Sequence, residues 1–155
     1  MLAAVLIQGV AAAVFPSESE AGTAGVHHRH EVAVFLGAAI RDEHETESGF
    51  ALGVEYQYRL HRFLGVGALA EGALGEFRDV LLIAPISFHP WRGLRLVVAP
   101  GAEIPNEGST EFALRLGAGY KIPLGGRFTL LPEFNADLID GHPTYVFGAS
   151  FAVGF

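Results

Sequence analysis

At 155 residues the chain has the length of one domain. Half of its residues are hydrophobic (50%), only 17% are charged and 20 are Gly, which is apolar for a soluble domain of this size. No run approaches the roughly 18 apolar residues of a spanning helix, so a membrane protein of this composition has to be a barrel. The net charge of -7 argues against nucleic acid, whose recognition needs a concentrated basic patch. The absence of Cys excludes disulfides and thiolate metal sites.

In chain order, residues 2–15 (LAAVLIQGVAAAVF) form an apolar run of secretory-signal length, too short to span as a helix. Ala11 and Ala13, or Ser19 and Ala21, supply the small-residue spacing that signal peptidase reads. No Lys or Arg precedes the run, the first being Arg29, which leaves a truncated start or an ordinary buried helix as alternatives, with removal as a signal the expectation. The expected organisation is a signal peptide over 1–21, a flexible polar segment over 22–30 and a β-barrel over 31–155.

From Glu31 onward, alternation with period two recurs between turn signals. Strands are expected at 31–41, 49–59, 63–73, 80–90, 94–104, 110–121, 127–138 and 144–155. Each has about the length that crosses a bilayer when tilted. The connections 42–48, 74–79, 105–109 and 139–143 read as longer and acidic, while 60–62, 91–93 and 122–126 read as shorter and basic. In an up-and-down barrel alternate connections share an end, so long loops are expected outside the cell and tight turns in the periplasm.

The two faces of each strand differ. In the last strand Tyr145, Phe147, Ala149, Phe151, Val153 and Phe155 form one row, and Val146, Gly148, Ser150, Ala152 and Gly154 the other. Phe50, Leu52, Val54, Tyr56 and Tyr58 alternate with Ala51, Gly53, Glu55, Gln57 and Arg59. Phe112, Leu114, Leu116, Ala118 and Tyr120 alternate with Ala113, Arg115, Gly117, Gly119 and Lys121. A soluble barrel puts apolar side chains inside; here small and charged residues take that place, an inversion that implies lipid on the outside. Tyr58, Phe63, Phe88, Trp91, Tyr120, Phe128 and Phe155 fall near the turn end, and Phe50, Phe77, Phe112 and Tyr145 near the loop end, as two interfacial girdles would. Phe35, Leu69 and Leu131 are expected to point inward against this pattern. Pro85, Pro100 and Pro132 lack the N–H that a closed ladder needs, and a bulge or local opening is expected where Pro85 faces Ala99 or Pro100.

The eight-strand pattern, the connection asymmetry, the secretory-like start and the terminal Phe155 together resemble the small bacterial outer-membrane barrels typified by the OmpA transmembrane domain and OmpX. That resemblance covers 31–155 and is architectural. It implies an all-β, eight-stranded antiparallel up-and-down transmembrane barrel in the outer membrane of a Gram-negative-type bacterium. It also implies a structural or surface-interaction role in the cell envelope, with outer-membrane lipid and lipopolysaccharide as partners. A monomer without cofactor is expected.

The predicted lumen holds Arg41, Glu55, Arg59, Glu71, Arg95, Glu103, Arg115, Lys121, Glu133 and Asp137. Charges at such depth have to pair, and eight strands leave an interior only wide enough for side chains, so a plug of salt bridges is expected rather than a gated ion path. His27, His28 and His30, with His61 and His89 at the same periplasmic end, are weak metal candidates. Imidazoles suit zinc, copper or nickel, but a flexible HHRH segment enforces no geometry, and a solvated arm is the simpler reading. At the opposite end Asp42, Glu43, His44, Glu45, Glu47, Glu76, Asp79, Glu107, Glu111 and Asp140 form an acidic rim that reads chiefly as a solvated surface, with divalent cations as the sharper alternative.

Two rival classes remain. A lipid A acyl hydrolase or acyltransferase would draw on His44, His142, Ser48 or Ser109, which lie at no spacing that aligns a nucleophile with a base; no G-x-S-x-G elbow is present, and no catalytic residue is assigned. A soluble ligand-carrying barrel would stay in water without detergent.

Overall fold

The computed structural model describes residues 28–42, 46–75 and 79–155. Residues 1–27, with the expected signal peptide and His27, lie outside the described residues, as do Glu43, His44, Glu45, Glu76 and Phe77. The strand segments are β1 (His30–Asp42), β2 (Thr46–His61), β3 (Leu64–Gly75), β4 (Asp79–Ile83) and β5 (Ile86–Phe88). They continue with β6 (Leu94–Pro105), β7 (Glu111–Tyr120), β8 (Ile122–Gly125), β9 (Phe128–Ile139) and β10 (His142–Gly154). β4 and β5 are halves of one stave, and β7 and β8 of another, so eight staves form the wall. Neighbours pair antiparallel and β10 returns to β1, which closes the barrel. The amides of His30 and Phe155 bond each other's carbonyls at 3.2 and 2.9 Å, so the closing seam is fastened up to the last residue.

Period two along each strand decides what faces where. Leu52, Val54, Phe112, Leu116, Phe134, Phe147 and Phe151 are exposed on the outside, whereas Glu55, Glu71, Arg95, Arg115 and Asp137 are buried inside. The expected inversion is therefore the architecture found. Phe35, Leu69 and Leu131 do point inward. Phe35 fits because the wall beside it has no side chains: a Cβ on Gly37 would lie 2.5 Å, and one on Gly148 2.8 Å, from the Phe35 ring edge.

The prolines account for the interrupted staves. Ile83 pairs with Gly101 and Ile86 with Val98, so register is unchanged across the gap and Pro85 lies level with Ala99. The result is an opening without a bulge. Two backbone bonds survive there, Ala84 N to Pro100 O at 2.9 Å and Gly67 N to Pro85 O at 2.8 Å, but neither proline nitrogen can return one. Pro132 lies opposite Tyr120, where β7 leaves β9; pairing resumes at Ile122 with Leu130.

The connections differ from expectation. Strand pairing continues into the expected first loop, up to Asp42 with Thr46. The expected loop at 139–143 is a two-residue turn, Asp140 and Gly141, with φ of 46° and 83°. Both angles suit a type I′ hairpin, for which Asp-Gly is a preferred pair. The expected turn at 122–126 is mostly strand β8, and the fourth stave stops at Phe88, so that His89 to Gly93 make the connection there. The expected contrast between long and short connections is thereby largely lost. The contrast in charge persists: one end carries Glu107 and Asp140, the other Arg29, Arg62, Arg92 and Arg127.

Candidate functional site

The chemistry-bearing side chains lie inside the barrel, in tiers along its axis. Nearest the acidic end, Arg41 on β1 donates to Thr144 on β10 at 3.1 Å, to Asp79 on β4 at 3.3 Å and to both carboxylate oxygens of Glu103 on β6 at 3.1 Å. In the next tier Arg115 on β7 grips Glu71 on β3 with two bonds of 2.8 and 2.7 Å, and Asp137 on β9 with two of 2.6 and 2.7 Å. Arg95 on β6 then pairs with Glu55 on β2 and approaches Glu133 on β9 at 3.7 Å; Glu133 also accepts from Ser150. Toward the basic end Lys121 meets Glu31 at 2.6 and 2.8 Å and Gln57 at 3.4 Å, and Gln57 donates to Ser87.

Each cation thus stands on one stave and takes its partners from others, so the pairs tie together walls that are distant in sequence. Burying a charge is costly unless partners satisfy it, and two-pronged arginine–carboxylate contacts are the strong form of that pairing. Two apolar clusters line the lumen wall beside the tiers: Leu69, Leu81, Ile83, Val97, Ala99, Ala113 and Ile139 form one, and Phe35, Ala39, Ala51 and Val146 another. Two small lumen cavities of about 20 and 10 Å³ lie beside these charges, room for about one water each at most.

The ten expected lumen residues all face inward, and nine of them enter these ion pairs; the tenth, Arg59, lies 3.5 Å from His89 Nε2. Two further acids belong with them. Glu31 shares the inward parity of Arg41 on the same strand, which the alternation alone could reveal. Asp79, expected on the acidic rim, instead turns inward to Arg41, as its parity with Leu81 and Ile83 would have indicated.

The histidines do not gather into one centre. His30 Nδ1 lies 2.7 Å from the Tyr56 hydroxyl, and its ring stacks on Phe155 with centroids 5.6 Å apart. His28 and His61 line a cleft of about 180 Å³ with Arg29, Arg59 and Arg62. His89 is buried on the lumen side, in the connection after β5. Burial, followed by the positive charges of Lys121, Arg59 and Arg95, pushes its imidazole down to about 3. Among the described residues, no group of three or more His, Asp or Glu side chains is arranged to hold a metal ion. Of the enzyme candidates, Ser48 lies in β2, Ser109 in the connection before β7, and His142 opens β10.

A closed eight-stave barrel that is apolar outside and ionised inside defines a class: the transmembrane β-barrels of the outer-membrane type. No protein-family model and no curated protein matches the chain. Among solved structures it is similar to Neisserial surface protein A (NspA), with a TM-score of 0.63 and 12% identity over 81% of this chain and 97% of that one. It is similar also to the N-terminal β-barrel domain of Pseudomonas aeruginosa OprF, with a TM-score of 0.61 and 14% identity over 83% of this chain and 98% of that one. Ail, the attachment invasion locus protein of Yersinia pestis, aligns with a TM-score of 0.54 and 17% identity over 80% and 99%. At such identities the likeness is one of fold, and the fold is that of Gram-negative outer-membrane β-barrel proteins.

Proposed function

We propose that this chain is a non-enzymatic outer-membrane barrel whose lumen is plugged, with a structural or surface-interaction role in the envelope of a Gram-negative-type bacterium. It works as a monomer among outer-membrane lipid and lipopolysaccharide, with its basic end in the periplasm and its acidic end outside. One observation carries the reading: Arg115 is held by Glu71 from one side of the lumen and Asp137 from another, all three buried. A guanidinium with four charge-assisted bonds has no reason to move aside for an ion. Planar-bilayer recording of the refolded protein tests this. Silent membranes are expected; reproducible unitary currents from the unaltered chain would contradict the plug. Assay of the same protein for acyl transfer or acyl release from lipid A tests the enzymatic alternative.

A further inference from the structure

The lumen cations Arg41, Arg95, Arg115 and Lys121 are matched by carboxylates, but Arg59 and the rim arginines Arg62 and Arg92 are not. None of the ion pairs among the described residues involves Arg59, Arg62 or Arg92. Yet these three and Lys121 line one cleft of about 440 Å³, together with Phe63 and Trp91. Lys121 is held by Glu31, but the three arginines are drawn into one cleft with no carboxylate paired to them among the described residues, in a chain of net charge -7, and an anion is what would relieve their repulsion. The His89 imidazole in the same cleft is lowered first by burial and then by Lys121, Arg59 and Arg95, so these cations act on it in the same sense.

The aromatic residues indicate the kind of anion. Trp91 is 74% exposed and Leu60, near the end of β2, 56%; both are where a bilayer interface would cover them. The Arg62 guanidinium lies 4.4 Å from the centre of the Phe63 ring, a stacking that holds the fork while leaving its N–H groups free to bind. We propose that this cleft is a phosphate-ester site at the membrane interface, in which Arg62 and Arg92 bind the phosphate of a phospholipid headgroup while Trp91 lies against its glycerol and upper acyl chain. The assignment rests on the membrane placement proposed above.

Trp91 is the chain's single tryptophan, so its fluorescence reports on the cleft. The full chain, refolded in an uncharged maltoside detergent, is titrated with dihexanoylphosphatidylglycerol, with inorganic phosphate and with phosphate-free dihexanoylglycerol. A saturable change is expected with the phospholipid and none with dihexanoylglycerol. Affinity for the phospholipid is expected to fall at least tenfold in Arg62→Gln and in Arg92→Gln. Both residues lie in connections and outside the lumen pairs, and heat-modifiable gel migration verifies that each variant folds. An equal response to inorganic phosphate would keep the phosphate chemistry and make the source soluble. No saturable response to either phosphate compound, the same response to dihexanoylglycerol, or unchanged affinity in both variants would overturn the site. If a variant does not fold, the comparison of phospholipid with dihexanoylglycerol on the unaltered chain decides alone. A chain that stays soluble without detergent and shows no heat-modifiable migration would fail the membrane reading instead.

Discussion

Arg115 and Glu71 face each other across the lumen from β7 and β3, joined by two parallel bonds of 2.8 and 2.7 Å. Removing one partner of such a buried pair leaves an uncompensated charge, at a cost of about 3–5 kcal/mol. Arg115→Met leaves both Glu71 and Asp137 without their cation and is expected to lower the urea midpoint of unfolding in lipid vesicles by a corresponding amount. Adding Glu71→Gln to Arg115→Met is expected to recover part of the loss. An unchanged midpoint in Arg115→Met would mean that the tier contributes nothing to stability.

The outer face makes the opposite demand. Leu116, exposed on β7, follows Arg115 by one residue and points the other way. Leu116→Arg is expected to cost about 2–4 kcal/mol in vesicles, as a cation does near the middle of a bilayer, while Leu116→Phe is expected to be nearly neutral. Comparison of the two unfolding curves checks this.

The ring of Phe35 fills space that Gly37 and Gly148 leave open. Phe35→Ala empties that space and is expected to destabilise by about 3–5 kcal/mol, and Phe35→Leu by less. Equal stability of all three proteins would mean that the wall closes over the gap.

His89 carries a pH dependence. Its imidazole is held down to about 3 in the folded chain, against about 6.5 when unfolded, so between those values the unfolded chain binds a proton that the folded one does not. Stability from this group is complete above about pH 6.5 and is lost progressively as pH falls toward 3. His89→Gln is expected to flatten that part of the profile, measured as the urea midpoint against pH; an identical slope in both proteins would contradict it.

Much of this was legible in the alternation of side chains, because one residue in two had to meet lipid and the next could not. Glu55, Arg115 and Glu133 were placed inside by parity alone. Which of them meet was not legible. Arg95 finds Glu55 on β2 and Glu133 on β9 only once the tilt and stagger of the closed barrel are set, and a single strand carries no trace of those. Strand ends were misplaced where acidic residues suggested loop: Thr46 and Ser48 are strand, and Asp140 with Gly141 suffices for the whole turn. Pairing and turn chemistry prevailed there over hydrophilicity. The basic cleft was not legible in the sequence, because Arg59, Arg62 and Arg92 come from three separate connections or strand ends that only the closed barrel brings together.

The inside-out arrangement is tested most directly by moving the tryptophan. In a Trp91→Phe background, Leu52→Trp or Phe147→Trp places the only indole on the outer face of β2 or β10. In vesicles of lipid brominated midway along the acyl chain, strong quenching of both is expected, together with protection from aqueous acrylamide. Indoles that acrylamide quenches and brominated chains do not would put these positions in water and contradict the account.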